Sequence, residues 1–283
     1  MPETPHSSDE RSALVSSMYG AQDLGSFSLF SGNFINYGYW SGDVLTGPGP
    51  ITVEQRTRSQ EEMYRVVVGR LGVGPDDVLL EVGCGIGVGT ALVVREFGPA
   101  EVHGVDLSPD QLARAERTNA EVLREHPGRL SFHQGSALDL PWPDAAFTGV
   151  YSVEAAQHFG DLASFAREAH RVLRPGGRFA LATFFSPDDQ GPTRLAELIA
   201  TVRDGIDVVH PIGSFTADLG AAGFTDVRAE PIGDHVWHGF DTWVSQTEYR
   251  DTWGRNWLPA YKEGWVDYYL VTATAANGAP TSR

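Results

Sequence analysis

Cysteine is almost absent: Cys84 is the single one in 283 residues. One thiol cannot close an internal disulfide or build a cysteine-based metal centre. Lysine is equally scarce, with Lys262 alone, so nearly all 21 basic residues are arginine. They form no block, and against 37 acidic residues they leave a formal net charge of -16. A chain this acidic lacks the cationic face that phosphate binding needs, which argues against a nucleic-acid partner and against an anionic membrane surface. No apolar run approaches the roughly 18 residues of a membrane span. The start, MPETPHSSDE, lacks the apolar centre of a signal peptide, and a cytoplasmic location is expected. The histidines and carboxylates show no compact ligand spacing, so no metal is expected.

What is present reads as one α/β chain. Hydrophobic residues make up 41%, enough for a packed core, and no linker divides the sequence, so residues 1–283 are expected to form a single domain. Residues 1–10 and the terminal NGAPTSR are polar and expected to be disordered. An aromatic, Gly-punctuated run between Ser26 and Trp40 has neither helical nor strand period. Thr52 to Leu71 reads as a helix opened by a capping box, Thr52 with Gln55. VLLEVG (Val78 to Gly83) reads as a buried strand, followed by CGIGVG and a helix to Phe97. EVHGVD (Glu101 to Asp106), LSFHQG and FTGVYSV read as further strands. Ser108-Pro109-Asp110-Gln111 opens a helix with an N-cap, a proline at N1 and Gln at N3. Asp161 caps another, with Leu162, Phe165, Ala166, Ala169, Val172 and Leu173 on one face. The turn Arg174-Pro175-Gly176-Gly177 ends it, and RFALATFF is a fifth strand. Strands alternating with helices call for a mostly parallel sheet covered on both faces. After Phe185 the pattern changes. SFTADLGAAGF is a helix, and TDVRAEPIG and VDYYLVTATA are strands at the edge of the sheet. Between them lies an aromatic stretch with Trp237, Trp243, Trp253, Trp257 and Trp265.

The glycine loop EVGCGIG carries the strongest chemical signal. Glycines after a first strand let the backbone approach a ligand, and the next helix offers free N–H groups. Dinucleotides call for G-x-G-x-x-G. Counting from Gly83 or from Gly85, the third glycine would fall at Val88 or Thr90, and the register fails both times. Glu81 stands two residues before the first glycine, where a carboxylate would repel a pyrophosphate and attract an ammonium group. Asp106, at the end of the second strand, can accept two hydrogen bonds from a ribose diol. The ligand these residues describe is a nucleoside joined to an amino acid.

EVGCGIG, the Asp106 of GVDLS, GSALDLPW, YSVEAAQHF and VLRPGGRFAL together resemble the class I S-adenosylmethionine-dependent methyltransferases, over about residues 70–185, with AAGFTDV extending the match. The resemblance implies a Rossmann-like, doubly wound, mostly parallel seven-stranded sheet with helices on both faces, an N-terminal segment (26–64) and an inserted cap (186–265). It implies S-adenosyl-L-methionine as cofactor. Gly83 and Gly85 would hold the methionine end, with Glu81 before them. Asp106 would hold the ribose and Leu107 would flank adenine, with Gln111 at the adjoining helix start. Ser136 and Ala137 fall where the family has Asp-Ala at adenine; serine is a departure, its hydroxyl a weaker acceptor than a carboxylate. Tyr39, in the aromatic lead-in, would stand near the sulfonium, where a ring face stabilises a cation. The aromatic cap and the resemblance point to a bulky apolar small molecule as acceptor: a polyketide, macrolide or terpenoid intermediate. A monomer or homodimer is expected.

Catalysis turns on YSVEAAQHFGD. An alcohol is a poor nucleophile unless a base takes its proton, and histidine is the side chain whose titration lies nearest neutral pH. In the resembling enzymes a histidine just past the fourth strand fills that role, and His158 occupies the matching stretch. Glu154, four residues earlier, would orient it or bind substrate. His210 is a second candidate and His235 and His238 are weaker ones. His103 and His133, on core strands, are expected to be structural. A carboxylate acceptor would need no base and a carbon acceptor would need one late, so hydroxyl, carboxylate and carbon acceptors all stay open. A protein that binds the cofactor yet performs another reaction, such as cyclisation, and a binding module without catalysis are the competing readings.

Overall fold

The computed structural model describes residues 29–30, 32–45 and 49–276. The two ends expected to be disordered lie outside the described residues, and so do Ser26, Phe27, Ser28 and Ser31 of the aromatic run.

Apolar runs closed by turn residues become strands. VLLEV forms β1 (Val78–Val82), followed by β2 (Glu101–Asp106), β3 (Leu130–Gln134), β4 (Phe147–Val153), β5 (Leu173–Phe185), β6 (Phe224–Pro231) and β7 (Asp267–Ala275). They build one seven-stranded sheet in the order β3-β2-β1-β4-β5-β7-β6. The pairs β1–β2, β1–β4, β2–β3 and β4–β5 are parallel. Hydrogen bonds from Ile232 N–H to Tyr268 O and from Ala276 N–H to Gly223 O run β6 and β7 antiparallel. The mostly parallel, seven-stranded expectation is met. After β3 the chain returns to the other side of β1 to lay down β4. This reversal makes the carboxyl ends of β1 and β4 the point where the strand order turns, the usual ligand position in such sheets.

The helices are α1 (Val53–Gly69), α2 (Val88–Phe97), α3 (Pro109–Thr118), α4 (Ala120–Glu125), α5 (Leu162–Val172), α6 (Gly191–Leu198), α7 (Ala200–Arg203), α8 (Ile212–Ala222), α9 (Trp237–Val244) and α10 (Trp257–Lys262). Among the described residues no helix is long and apolar enough to cross a membrane. The caps are as the sequence predicts. Thr52 N–H donates to Gln55 Oε1 (2.9 Å) and Gln55 N–H to Thr52 Oγ1 (3.2 Å) ahead of α1. Ser108 Oγ accepts from Gln111 N–H at the start of α3, and Asp161 accepts from Ser164 N–H at the start of α5. Leu162, Phe165, Ala166, Ala169 and Val172 of α5 are all buried. Covering a large apolar side chain of this kind contributes roughly 1.5–3 kcal/mol.

Two details differ from the sequence reading. Leu173, expected on the α5 stripe, starts β5 and pairs with Phe147. Arg174-Pro175-Gly176-Gly177 is not a turn ahead of β5 but an interruption within it: the register jumps from Phe147↔Leu173 to Gly149↔Arg178. Proline has no N–H to give a ladder, so the four residues leave it and pairing resumes at Arg178.

The described residues fall into two compact units. One gathers the chain through Met63, Phe184–Ile212 and Pro231–Tyr269; the other comprises Tyr64–Thr183, Gly213–Glu230 and the chain from Leu270. The first unit has an aromatic core. Trp237 and Trp257 stack at 5.4 Å, Tyr37 stacks on Phe240 at 4.3 Å, and Phe184 lies 4.7 Å from Trp257. Arg56, fully buried, places its guanidinium over Trp40 and Phe240 and donates to the carbonyl of Asn36. The second unit packs around Phe147, Phe165, Phe179 and Phe215.

Candidate active site

Gly83 and Gly85 leave β1 with φ of 80° and 53°, a region that glycine enters without steric cost. Their surroundings differ. A Cβ on Gly83 would stand 2.3 Å from the Cβ of Ala155, so the loop after β1 touches the loop after β4. A Cβ on Gly85 would meet nothing within 4 Å; open space lies over this stretch of backbone. Gly83 and Cys84 N–H both donate to Val105 O (2.8 and 3.0 Å), which ties the loop to β2.

Asp106, at the end of β2, is held on both oxygens. Gly85 N–H donates to Oδ2 and Ser108 N–H to Oδ1, each at 2.9 Å. A carboxylate accepts about four hydrogen bonds, so capacity remains for a diol. Burial raises its pKa above the ordinary value, opposed by the N–H bonds and by the charge of His158. The glycine loop, Asp106 and His158 therefore share one neighbourhood.

Beside Asp106 the surface turns apolar. Leu107 is 53% exposed and Leu138 is 37% exposed, two of the few large hydrophobic side chains left in water among the described residues. Ser136 and Ala137 are half-buried. Ser136 Oγ accepts from Leu138 N–H (3.1 Å), and Gly135 N–H donates to Asp106 O (3.1 Å), fixing this segment to the end of β2. Sequence reasoning missed Leu138; its only signal is an apolar residue in a loop, which becomes informative once the loop lies beside Asp106. Gln111 is buried at the start of α3.

Glu81 is placed differently from the expectation of an open acceptor for an ammonium group. It is fully buried. Tyr64 O–H donates to Oε1 (2.9 Å), and Thr90 O–H (2.6 Å) and Tyr151 O–H (3.1 Å) donate to Oε2. Three hydroxyls take the place that solvent or a cation would fill. Burial nevertheless pushes the carboxyl up to about 7, against those hydrogen bonds. Both tyrosines rise well above their ordinary value, again chiefly by burial, so they stay donors. A carboxyl whose folded pKa exceeds its unfolded value of 4.5 stabilises the fold below that value and loses the contribution as pH rises towards 7. Glu81→Gln should therefore flatten the pH dependence: the stability advantage of wild type over the variant should shrink by about 3 kcal/mol between roughly pH 4 and pH 8. Chemical denaturation across that range checks it, and a difference independent of pH would exclude the raised carboxyl.

The Glu154–His158 spacing is not a helical face. Glu154 follows β4 with φ of 49° and donates its N–H to Ala182 O (2.8 Å), while Ala156–His158 form a single 3₁₀ turn. The left-handed residue turns the chain before any helix begins, so the four-residue spacing does not put Glu154 and His158 one helical turn apart on a shared face. Both side chains are half-buried. A link of another kind joins the two positions. Thr183 O–H donates to Gln157 Oε1 (2.7 Å), which turns the Gln157 amide nitrogen towards Glu154 O (3.0 Å) and His158 Nε2 (3.4 Å). A donor facing Nε2 leaves the lone pair on that nitrogen in a neutral imidazole. Gln157 and Thr183, both buried, reach His158 through these contacts, which sequence reasoning missed. They stand 26 positions apart in the chain, and only the β4–β5 pairing brings them together.

Tyr39 belongs to the first unit. Its ring stacks on His235 at 4.5 Å and its N–H donates to Ser59 O. Trp237 and Trp257 are fully buried packing, and so are Phe184 and Phe185. His210 is also in the first unit, where its carbonyl accepts from Ser186 N–H. His103 and His133 lie on β2 and β3.

The donor set fits an adenosyl amino acid. It offers a glycine backbone with open space above it, a fixed carboxylate with spare acceptor capacity, and exposed leucines for an aromatic base. Residues 80–181 match the family described as a methyltransferase domain. The chain is 31% identical over 230 residues to erythromycin 3''-O-methyltransferase of Saccharopolyspora erythraea, covering 77% of this chain and 70% of that protein. It is 31% identical over 206 residues to 27-O-demethylrifamycin SV methyltransferase of Amycolatopsis mediterranei, covering 72% and 71%. Its fold is similar to that of geranyl diphosphate C-methyltransferase from Streptomyces coelicolor A3(2), with a TM-score of 0.78 at 19% identity over 98% of this chain and 100% of that one.

Proposed function

The chain belongs to the S-adenosylmethionine-dependent methyltransferases of natural-product type, and from that premise we propose that it methylates a hydroxyl oxygen on a bulky, mostly apolar intermediate such as a macrolide, another polyketide or a terpenoid. The observation that carries this reading is the position of His158: half-buried in the 3₁₀ turn just past β4, with Gln157 held beside its Nε2 by Thr183. A base there suits an acceptor alcohol, since removing that proton typically contributes ~10²–10⁴-fold in rate. The two relatives named above carry O-methylation in their names.

When bound, S-adenosylmethionine supplies an electrophilic methyl group. The backbone at Gly83 and Gly85 holds its methionine end, Asp106 accepts from the ribose, and Leu107, Leu138, Ser136 and Ala137 border adenine, with Gln111 behind them. Glu81 acts from inside, fixing Tyr64, Thr90 and Tyr151 beneath the loop. Gln157, oriented by Thr183, holds His158 in the tautomer with its lone pair on Nε2, and this long 3.4 Å contact gives way when Nε2 takes the proton of the acceptor hydroxyl, with Glu154 steadying the imidazole or contacting the acceptor.

Carbon methylation is the second reading, favoured by the match along almost the whole chain to the fold of a C-methyltransferase. Incubation with ¹³C-methyl-labelled cofactor and a panel of demethylated macrolide, polyketide and terpenoid alcohols separates the outcomes. An O-methyl resonance in the product is expected. A label bound only to carbon, or a product of unchanged mass with a new ring, would replace this reading.

A further inference from the structure

A second cluster of titratable side chains lies on β2 and β3, apart from the site above. Four side chains form a continuous chain of hydrogen bonds. Glu101 Oε2 stands 3.0 Å from His103 Nε2, His103 Nδ1 stands 2.8 Å from Ser131 Oγ, and Ser131 Oγ stands 2.8 Å from His133 Nε2. The two inner ring nitrogens, His103 Nδ1 and His133 Nε2, are 3.4 Å apart. Residues three apart on a strand point to opposite faces, so His103 lies on the other side of the sheet from Asp106.

The carboxylate decides the tautomer. Glu101 can only accept, so neutral His103 carries its proton on Nε2 and its lone pair on Nδ1. The lone pair therefore points at Ser131, and Ser131 O–H donates to it. His133 Nε2–H then donates to Ser131 Oγ. A histidine whose outer N–H is held by a carboxylate, and whose inner nitrogen therefore carries the lone pair, is the arrangement found around bound metals. Trp142 packs edge-on against both imidazoles, at 5.1 and 6.1 Å, and Phe147 against His103 at 5.6 Å. The rings are thus fixed before any ligand arrives, while the His103 side chain remains 19% accessible.

Among the described residues no group of three or more His, Cys, Asp or Glu side chains is arranged to hold a metal ion. The cluster offers something smaller: two imidazole nitrogens and one hydroxyl at mutual distances of 2.8, 2.8 and 3.4 Å. Donors around an ion with bonds of about 2.1 Å stand roughly 3.0–3.4 Å apart in octahedral or tetrahedral geometry. We infer that His103 Nδ1, His133 Nε2 and Ser131 Oγ form a binding site for one divalent late transition-metal ion, of which Zn²⁺ is the physiological class, with Glu101 as the carboxylate behind His103. Imidazole ligands select this class over Mg²⁺ or Ca²⁺. On binding, the ion displaces the hydrogen bonds to Ser131, and His133 moves its proton from Nε2 to Nδ1. Water fills the remaining positions. The ion ties the outermost strand, β3, to β2 and has no part in methyl transfer.

The full chain, stripped of metal with a chelator and dialysed, is titrated with Zn²⁺ by calorimetry. One equivalent is expected to bind and to raise Tm. His103→Asn and His133→Gln, each able to keep one hydrogen bond to Ser131, should weaken binding at least tenfold and leave methyl transfer unchanged. Glu101→Gln should weaken binding by about 10-fold or more. Copper EPR of the wild-type chain needs no substitution and should show two equatorial nitrogens. Binding that survives both histidine substitutions, coupling to fewer than two nitrogens, or no uptake at millimolar Zn²⁺ would each overturn the site.

Discussion

His158→Ala should lower kcat for a hydroxyl acceptor by about 10²–10⁴-fold, the usual contribution of a positioned base. Cofactor affinity should change little, because Asp106 keeps its bonds to Gly85 and Ser108. Thr183→Val breaks only the hydroxyl bond that orients Gln157, so its effect should be smaller, about 10-fold, and confined to kcat. The pair is informative together. A base acting directly and a residue fixing its ring give the same direction with different size, whereas a purely structural role for Thr183 would lower Tm and leave kcat per folded molecule intact. Stopped-flow or single-turnover methylation with the acceptor identified by the labelling panel provides the measurement. Full activity in His158→Ala would remove the base, and with it the alcohol as the favoured acceptor.

Asp106→Asn should weaken S-adenosylmethionine binding by about 10- to 100-fold, since hydrogen bonds to a charged group are worth roughly 1.5–3 kcal/mol. The amide keeps one acceptor oxygen and offers a donor where Gly85 or Ser108 already donates, so the loop loses part of its anchor as well. Gly85→Ala probes the same place from the opposite side. Its φ of 53° costs an alanine about 1–2 kcal/mol, and the added methyl projects into the open space above the loop. Calorimetry with S-adenosylhomocysteine checks both. Binding at wild-type strength in both variants would take the glycine loop and Asp106 out of the cofactor site.

The core is legible in the sequence because its signals are local. β1 is an apolar run ended by glycine, and α1, α3 and α5 each begin at a cap whose partner lies three residues on. What is not legible depends on residues far apart in the chain. Glu81 reads as an open carboxylate because Tyr64 and Tyr151, which enclose it, stand 17 positions before it and 70 after it. Glu154 is read as a partner of His158 from a spacing of four, and spacing does not reveal a left-handed residue at a strand end. Arg174 to Gly177 carries turn residues, and only the register of β4 shows that the ladder resumes beyond them. Packing buries Trp237 and Trp257 completely, and ring partners such as Tyr37 come from distant stretches of chain.

The first unit draws on three separate stretches of chain, the last of them ending at Tyr269. During synthesis, the strands from β1 to the start of β5 have all emerged long before Trp257, and they can pair while the aromatic core still lacks its final contributor. At roughly 5–20 residues per second, the wait between Thr183 and Tyr269 is several seconds. For that interval Tyr37 and then Phe184 have no complete core to enter, so their apolar surface stays uncovered after the first strands of the sheet are able to pair.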